Sequence, residues 1–263
     1  MARWVPVHVL HFKIQPHLPV MMGNAERTDQ TGLDTLQVIA AAPRFNEWMY
    51  QQIKPDLQGR ILEIGSGIGN ISAYLVGDRY ELTLSDVETH YLKHLKKQFG
   101  SSPLIRQILS IDLADMDFKK TYAHLAGEFD TVFLLNVLEH IEQDDLALQH
   151  IHFLLKPGGK VIVLTPAYQW LYCRYDKELG HFRRYTRKRL SRLVQSQGYT
   201  IEKARYFNAL GIAGWAVLGK LMGKRNLESS ELSLFNRLVP LAKWLDKISF
   251  SRIGLSVIVT GRK

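Results

Sequence analysis

Short apolar runs alternate with longer stretches of helical periodicity through most of this 263-residue chain. Runs this short, bounded by glycine, proline or polar residues, are typical of buried strands, and the stretches between them are typical of helices. Alternating strands and helices predict a parallel sheet with helices on both faces. The first five predicted strands lie at residues 61–64, 80–86, 104–109, 129–136 and 160–164.

The pattern changes after residue 166, where a long loop is expected before the elements resume. Thr186 precedes a helical pattern and is predicted to be its N-cap. Ahead of the first strand, residues 33–53 have a helical pattern that should break or bend at Pro43. The later elements are predicted as a helix at 187–196, a strand at 200–206, helical stretches within 209–222 and 231–248, and a last strand at 255–260.

The first strand ends in a glycine-rich turn. Gly65, Gly67 and Gly69 occupy alternate positions after Glu63, and a helix start follows. A tight strand-to-helix turn needs residues that tolerate positive φ and place no Cβ where a ligand approaches the backbone. The dinucleotide spacing G-x-G-x-x-G would place its third glycine at Asn70, so that fingerprint is absent. The turn still predicts a nucleotide-type cofactor site at the carboxyl end of a strand.

The spacing Glu63-x-Gly65-x-Gly67-x-Gly69 resembles motif I of the class I S-adenosylmethionine-dependent methyltransferases. The resemblance implies that the turn, with Ser66 in it, passes close to the methionine part of S-adenosylmethionine, with Glu63 near its amino end. It also implies a doubly wound, seven-stranded Rossmann-like fold, mostly parallel with an antiparallel last strand. S-adenosylhomocysteine would be the product.

Polar residues at later strand ends fit the same resemblance. Asp86 lies about 20 residues past the glycine turn, where a carboxylate accepts hydrogen bonds from ribose hydroxyls. In this family an acid after the third strand faces the adenine amino group and its apolar neighbour packs on the ring; Asp112 and Ile111 match those positions. Asn136, at the end of the fourth strand, is also expected at the cofactor.

The residues after the fourth strand indicate which kind of atom is methylated. The chain reads Asn136-Val-Leu-Glu139-His140-Ile and lacks the Pro-Pro loop of methyltransferases that act on exocyclic base amines. Its E-H-I continuation resembles methyltransferases of small molecules and lipid-like quinones. His140 is a candidate general base, because a neutral imidazole can take a hydroxyl proton near pH 7. Alternatively, Glu139 and His140 orient the turn or help to hold the cofactor.

Basic residues concentrate in the second part of the chain. Residues 166–263 hold 19 Lys and Arg against 6 Asp and Glu, a net charge of +13, whereas the rest has a net charge of −4. Within this part, a "D-x-x-L-G-H-x-R-R-Y" block resembles one found in a bacterial subgroup of these enzymes. The matching residues are Asp176, Leu179, Gly180, His181, Arg183, Arg184 and Tyr185.

The resemblance and the chemistry of this block suggest an acceptor site. Arg183 and Arg184 could grip a carboxylate or phosphate in a two-point fashion. His181 is a second candidate base, and Tyr185 could stack or donate a hydrogen bond. The alternative is that Asp176 pairs with one arginine and the other basic residues lie on a solvated helix face.

An unusually apolar stretch covers residues 208–222. Trp215, with Lys220, Lys224 and Arg225 beside it, would suit a membrane interface. The alternative is a buried helix or a lid over the acceptor pocket. No stretch reaches the roughly 18–20 apolar residues of a membrane span. We expect a cytoplasmic protein, with peripheral membrane contact left open.

We predict a single methyltransferase domain over residues 33–263, with acceptor-binding or lid insertions at about 167–186 and 208–250. Residues 1–32 form an extension or an arm, which covers the active site or pairs with a second subunit; alternatively, translation naturally begins at Met21 or Met22. The lone Cys173 excludes an internal disulfide and suits a reducing compartment. No metal site is expected, and the sequence does not indicate the oligomeric state.

The predicted function is S-adenosylmethionine-dependent methylation of a small-molecule or lipid-linked acceptor that bears an anionic group. Oxygen, in a hydroxyl or carboxylate, is the expected target, and a nucleic-acid partner is disfavoured. An RNA or protein methyltransferase is one alternative, supported by the net charge of +9. The other alternative is a non-catalytic cofactor-binding or membrane-associated protein that retains the fold.

Overall fold

The computed structural model describes residues 24–222 and 229–263. Two helices precede the sheet: α1 (Asn24–Ala40) and α2 (Pro43–Ile53). Pro43 lies in the first turn of α2, where a missing N–H removes no intrahelical hydrogen bond, so the predicted break at this proline is confirmed. Residues 1–23, which hold most of the predicted arm, lie outside the described residues, as do Lys224 and Arg225.

The remaining elements alternate as the sequence predicts. The strands are β1 (Ile61–Ile64), β2 (Leu82–Asp86), β3 (Ile105–Ser110), β4 (Phe129–Leu135), β5 (Leu155–Pro166), β6 (Thr200–Phe207) and β7 (Ser256–Arg262). The helices are α3 (Ser72–Gly77), α4 (Thr89–Phe99), α5 (Phe118–Thr121), α6 (Asp144–Leu154), α7 (Arg174–Glu178), α8 (Arg187–Ser196), α9 (Ala209–Trp215) and α10 (Ser229–Ile248). Thr186 caps α8 by accepting a hydrogen bond from the Arg189 amide, as predicted.

In the described part of the chain, seven strands form one sheet in the order β3-β2-β1-β4-β5-β7-β6. The first five are parallel, and β7 runs antiparallel to both β5 and β6. The predicted doubly wound fold with an antiparallel last strand is therefore confirmed. The strand order reverses at β1, whose Ile64 pairs with Ser85 of β2 and Leu134 of β4. A crevice at the carboxyl ends of the strands is expected at this reversal.

Two apolar clusters cover the two faces of the sheet. One joins the strands to α5, α6 and α8 through residues such as Phe118, Leu148 and Leu190. The other joins them to α2, α4 and α10 through residues such as Ile53, Leu95 and Val239. Both faces are thus buried, as a parallel sheet requires.

The carboxyl-terminal helices are tied to each other. Asn208 caps α9, and its Oδ1 accepts a hydrogen bond from the Gly211 amide. Asp246 of α10 accepts hydrogen bonds from the backbone amides of Asn208 and Ala209, each at 2.7 Å. Trp215 donates to the Leu171 carbonyl at 3.2 Å, so its indole faces the protein, which favours the lid or core interpretation of this stretch. Among the described residues, no helix combines the length and apolar character needed to cross a bilayer.

Candidate active site

The glycine turn (residues 65–69) connects β1 to the helix that follows. Gly65 has φ +70° and Gly67 has φ +54°, a region that side chains rarely adopt. A Cβ on Gly65 would lie 2.3 Å from Val137, and one on Gly67 would lie 2.8 Å from Leu36. Backbone conformation and close approach therefore both require glycine here.

Asp86 holds this turn from the tip of β2. Its Oδ2 accepts a hydrogen bond from the Gly67 amide at 2.8 Å, and its Oδ1 accepts one from Glu88 at 3.1 Å. Burial raises the pKa of Asp86, and the backbone donors oppose that rise. A carboxylate has about four acceptor positions, so Asp86 retains capacity for ligand hydroxyls.

Glu63 and Ser66 lie beneath the turn. Glu63 is only 4% exposed, and Ser72 donates a hydrogen bond to its Oε2 at 2.5 Å. Burial raises the pKa of Glu63 to about 8, so the carboxyl group is mostly neutral at pH 7. The Ser66 hydroxyl accepts a hydrogen bond from the Ser85 amide at 3.2 Å. Both side chains therefore support the turn from inside the protein.

The two residues predicted to contact adenine differ in their exposure. Asp112 is exposed, and its Oδ1 accepts a hydrogen bond from the Ala114 amide at 2.8 Å. Ile111 belongs to the core and is buried, so we revise its predicted role in packing on the ring. Val87, directly after Asp86, is 52% exposed and offers an apolar surface beside the turn. Sequence reasoning missed Val87, although its position after a strand-end acid was the available signal.

The segment after β4 lies against the glycine turn. Asn136 is exposed with φ +55°, and its amide donates to the Leu164 carbonyl at 2.8 Å. A short 3₁₀ turn, Leu138–His140, follows. It buries Glu139 completely, and within the described parts of the chain neither carboxylate oxygen of Glu139 has a hydrogen-bond partner. Burial raises the pKa of Glu139 to about 7.

The two candidate bases are neighbours. The rings of His140 and His181 are nearly perpendicular, with centroids 4.6 Å apart. His181 is buried, and its Nδ1 lies 2.8 Å from Asp176 Oδ1. Desolvation and the nearby His181 lower the pKa of His140, while a hydrogen bond to the Leu179 carbonyl opposes the shift. His140 keeps an exposed surface, so water limits the size of this decrease.

The arginine block (residues 176–185) is folded around Asp176. The Arg184 guanidinium contacts both Asp176 oxygens, at 2.8 and 3.0 Å, and lies 4.5 Å from the Trp215 ring. Tyr185 is fully buried and donates to Asp144 at 2.7 Å. We therefore revise the predicted acceptor contacts of Arg184 and Tyr185, because their polar groups already bind protein partners.

Arg183 has a different environment from Arg184. It is half-buried, its Nη1 lies 2.8 Å from Asp144, and its Nη2 donates to the Glu142 carbonyl. The adjacent Phe182 is exposed and its amide donates to the Glu139 carbonyl at 2.8 Å, which fastens the arginine block to the segment after β4. Within the block, Arg183 is thus better placed than Arg184 to reach a ligand.

Helix α1 spans from the glycine turn to the arginine block. The Leu36 carbonyl accepts a hydrogen bond from Asn70 at 3.1 Å. One helical position earlier, the Thr35 hydroxyl lies 2.9 Å from the Tyr175 hydroxyl in α7. The carboxyl-terminal part of α1, which falls within the predicted domain, therefore contacts both the residue that follows the glycine turn and α7.

This fold and crevice define a Rossmann-like domain of the seven-stranded methyltransferase type. The chain belongs to a methyltransferase domain family, whose model matches residues 40–204. That match ends within β6 and leaves α9, α10 and β7 outside it.

Sequence relatives include probable polyketide synthases 27 and 30 of Dictyostelium discoideum. They are 26% and 27% identical to this chain over 163 and 164 residues, 52% of its length in both cases. The matched part spans only 6% and 5% of those relatives.

Solved structures of methyltransferases have a similar fold. Phosphoethanolamine N-methyltransferase 2 of Haemonchus contortus, in complex with S-adenosyl-L-methionine, aligns with a TM-score of 0.60 at 16% identity. The alignment covers 92% of this chain and 60% of that one. A SAM-dependent methyltransferase from Archaeoglobus fulgidus aligns with a TM-score of 0.55 at 13% identity, covering 83% and 94%.

Proposed function

We propose that this methyltransferase uses S-adenosylmethionine to methylate an oxygen of a small-molecule or lipid-linked acceptor that bears an anionic group. The observation that carries the proposal is the glycine turn, held by Asp86 and lying beside the segment that leads to His140 and His181. Relatives described as polyketide synthases and a neighbour described as a phosphoethanolamine methyltransferase support a small-molecule acceptor.

The residues around the turn fit this cofactor. The positive-φ glycines add no side chain to the turn, Gly65 is partly exposed, and Asp86 has acceptor positions left for ribose hydroxyls. Asp112 would reach the adenine amino group, and Val87 would contact the ring. Asn136 would lie near the methionine end. The cofactor supplies a methyl group already activated on a sulfonium, so positioning accounts for much of the rate.

The histidine pair is proposed to manage the acceptor proton. His140 is neutral near pH 7 and can accept a proton from a hydroxyl, although its lowered pKa makes it a weaker base than an ordinary imidazole. Asp176 holds the orientation of His181, which is the alternative base. A carboxylate acceptor would need neither residue as a base.

The anionic group of the acceptor is assigned to Arg183. This guanidinium is half-buried at the edge of the arginine block, and its present partners are Asp144 and a backbone carbonyl. An anion that approached it would also meet the net charge of +13 carried by residues 166–263.

A lipid-linked acceptor would be reached through α10. Exposed apolar residues recur along its outer face over about 21 Å, at the 1.5 Å rise per residue of a helix. Basic residues flank this stripe, which matches the charge of an anionic bilayer. The apolar residues are Leu234, Leu238, Leu241, Trp244 and Ile248, and the basic ones are Arg237 and Lys247.

Vesicle co-sedimentation tests the role of α10. The Leu241→Ser/Trp244→Ser variant should bind vesicles containing phosphatidylglycerol several-fold more weakly than the unmodified protein, whereas Val217→Ser next to α9 should not. Binding to pure phosphatidylcholine should be weak for all three, because it lacks the negative charge. Equal binding by all variants, or a stable dimer that buries this face, would contradict the assignment.

Two measurements test the main proposal. Calorimetry should detect S-adenosylmethionine binding, and incubation with methyl-labelled cofactor and fractionated cell extract should label a small or lipid-soluble product. Binding without any turnover would support the non-catalytic alternative. Label in RNA or protein instead of small molecules would replace the proposed acceptor class.

A further inference from the structure

Glu139 is an unusual buried acid. Its side chain has no exposure, and neither oxygen has a hydrogen-bond partner among the described residues. Buried carboxylates in proteins are normally paired, hydrogen-bonded or bound to a metal, because an isolated one is costly to desolvate. The two unpaired oxygens therefore point to a partner that is not another side chain of the described protein.

Two imidazoles complete a group of metal-binding character around Glu139. One ligand atom each from Glu139, His140 and His181 can be chosen so that all three lie within 4.8 Å of one another. A first-row cation would need its ligands about 2.0–2.2 Å from the metal, so modest side-chain rotations would bring the three atoms together. Glu139 and His181 are buried, whereas His140 is exposed, so solvent reaches the group at His140.

His181 is oriented as metal-binding histidines usually are. A ligating imidazole commonly donates its second N–H to a carboxylate or a backbone carbonyl, which fixes the ring and its tautomer. His181 uses Nδ1 for Asp176, which leaves Nε2 for a cation. A ring nitrogen of His140 lies within 4.8 Å of the ligand atoms of Glu139 and His181.

The backbone also holds these three residues together. The Phe182 amide donates to the Glu139 carbonyl, and the His140 amide donates to the Val137 carbonyl at 3.0 Å. Arg184 is bound to the same Asp176 carboxylate as His181, so the arginine block positions that histidine. This explains why so many polar groups of the block face inward.

We propose that Glu139, His140 and His181 bind a divalent first-row transition-metal cation, such as Mn²⁺, Fe²⁺, Co²⁺ or Zn²⁺, beside the methyl-transfer site. Two imidazoles and one carboxylate favour these metals over Mg²⁺ and Ca²⁺, which prefer all-oxygen sites. Three protein ligands leave open positions on the metal, as in catalytic sites.

An open position would take the acceptor oxygen, and this part rests on the proposed function. A hydroxyl bound to the cation becomes more acidic. Its O–H bond breaks with the electron pair remaining on oxygen, and the proton passes to water in the crevice. The metal then replaces the need for His140 or His181 as a base.

The experiment follows Co²⁺ binding by calorimetry and by visible absorption, after chelator treatment of the full-length protein. His8, His11 and His17 near the amino terminus can bind such metals on their own. A variant with these three changed to alanine therefore serves as the background. The expected result is one equivalent of Co²⁺, with a visible band from a site that contains nitrogen ligands, and little binding of Mg²⁺.

Substitutions then locate the site. His140→Ala and Glu139→Gln should each weaken Co²⁺ binding at least about tenfold and alter the band. His94→Ala, an exposed histidine on α4, should leave binding unchanged and serves as the matched control. Absence of stoichiometric binding, or equal affinity in His140→Ala and His94→Ala, would overturn the metal site. S-adenosylmethionine affinity is measured on the same samples, so failure of the cofactor proposal appears separately from failure of the metal proposal.

Discussion

The glycine turn and the arginine block are both rich in residues that suggest ligand binding, yet they are built in opposite ways. In the glycine turn, the Gly67 amide and the Asp86 carboxylate hold a bend that has no room for a side chain at Gly65 or Gly67. In the arginine block, Asp176, Arg184 and His181 bind one another in the interior. The comparison teaches that a dense set of polar residues can serve to position one group, while the proposed binding surface is a turn with few side chains of its own.

The substitution expected to have the largest effect on stability is Arg184→Ala. It leaves Asp176 buried without its main cationic partner, and removing one member of such a pair typically costs about 3–5 kcal/mol. The free energy of unfolding from urea titrations measures this. Lys188→Ala, on the exposed face of α8, should change it by less than about 0.5 kcal/mol. Similar effects of the two substitutions would mean that the block does not depend on internal pairing.

Asp86→Ala tests the other region. Loss of a charged acceptor for hydroxyl groups should weaken S-adenosylmethionine binding by about 1.5–3 kcal/mol. That range corresponds to about 10- to 150-fold in Kd by calorimetry. Glu81→Ala, just before the opposite end of β2, is the matched control and should leave the affinity unchanged. An unaltered Kd in Asp86→Ala would remove the basis for the cofactor assignment.

A pH experiment examines the buried acid beneath the glycine turn. The pKa of Glu63 is about 8 in the folded protein against 4.5 ordinarily, so the folded state holds a proton that the unfolded chain has lost. Stability must therefore fall as pH rises through this interval, by at most about 1.4 kcal/mol per pH unit from this group. Urea unfolding at pH 7 and pH 8 should give a smaller decrease in Glu63→Gln. Equal decreases would show that Glu63 does not carry this dependence.

The smallest expected effect on the cofactor comes from Arg183→Ala. Since Arg183 lies at the edge of the arginine block, S-adenosylmethionine affinity should stay within about twofold, while labelling at limiting acceptor should fall several-fold. Calorimetry and labelled-product counts provide the two readouts. If the affinity for the cofactor falls as well, Arg183 has a structural role and does not bind the acceptor.

Local sequence patterns predicted most of the fold because they depend on nearby residues. Helix α8 was predicted with its cap, since Thr186 and the Arg189 amide are three residues apart. β5 was predicted to begin only after Gly159, but the strand assignment starts at Leu155, which pairs with Phe129. The last residue of the chain also holds this stretch, because Lys263 exchanges hydrogen bonds with Gly158 and Gly159. Such long-range pairing is not visible in local turn chemistry.

The candidate site was predicted less completely for the same reason. The glycines and Asp86 could be identified because their spacing follows from one strand–turn–helix unit. Whether Arg183 or Arg184 pairs with Asp176 depends on how α7 packs against Trp215, which no spacing rule specifies. The group of Glu139, His140 and His181 joins segments about 40 residues apart in sequence, so the prediction of no metal site did not consider it.

The strand order has a practical consequence for anyone who shortens this protein. A chain that ended at residue 204, where the family match stops, would lack β7, although β7 lies between β5 and β6. The stub of β6 would lose its neighbour, and β5 would present unpaired N–H and C=O groups to solvent. Open edges of this kind recruit strands from other molecules. We expect such a fragment to aggregate, so the carboxyl-terminal segment must be kept even when only the cofactor half is of interest.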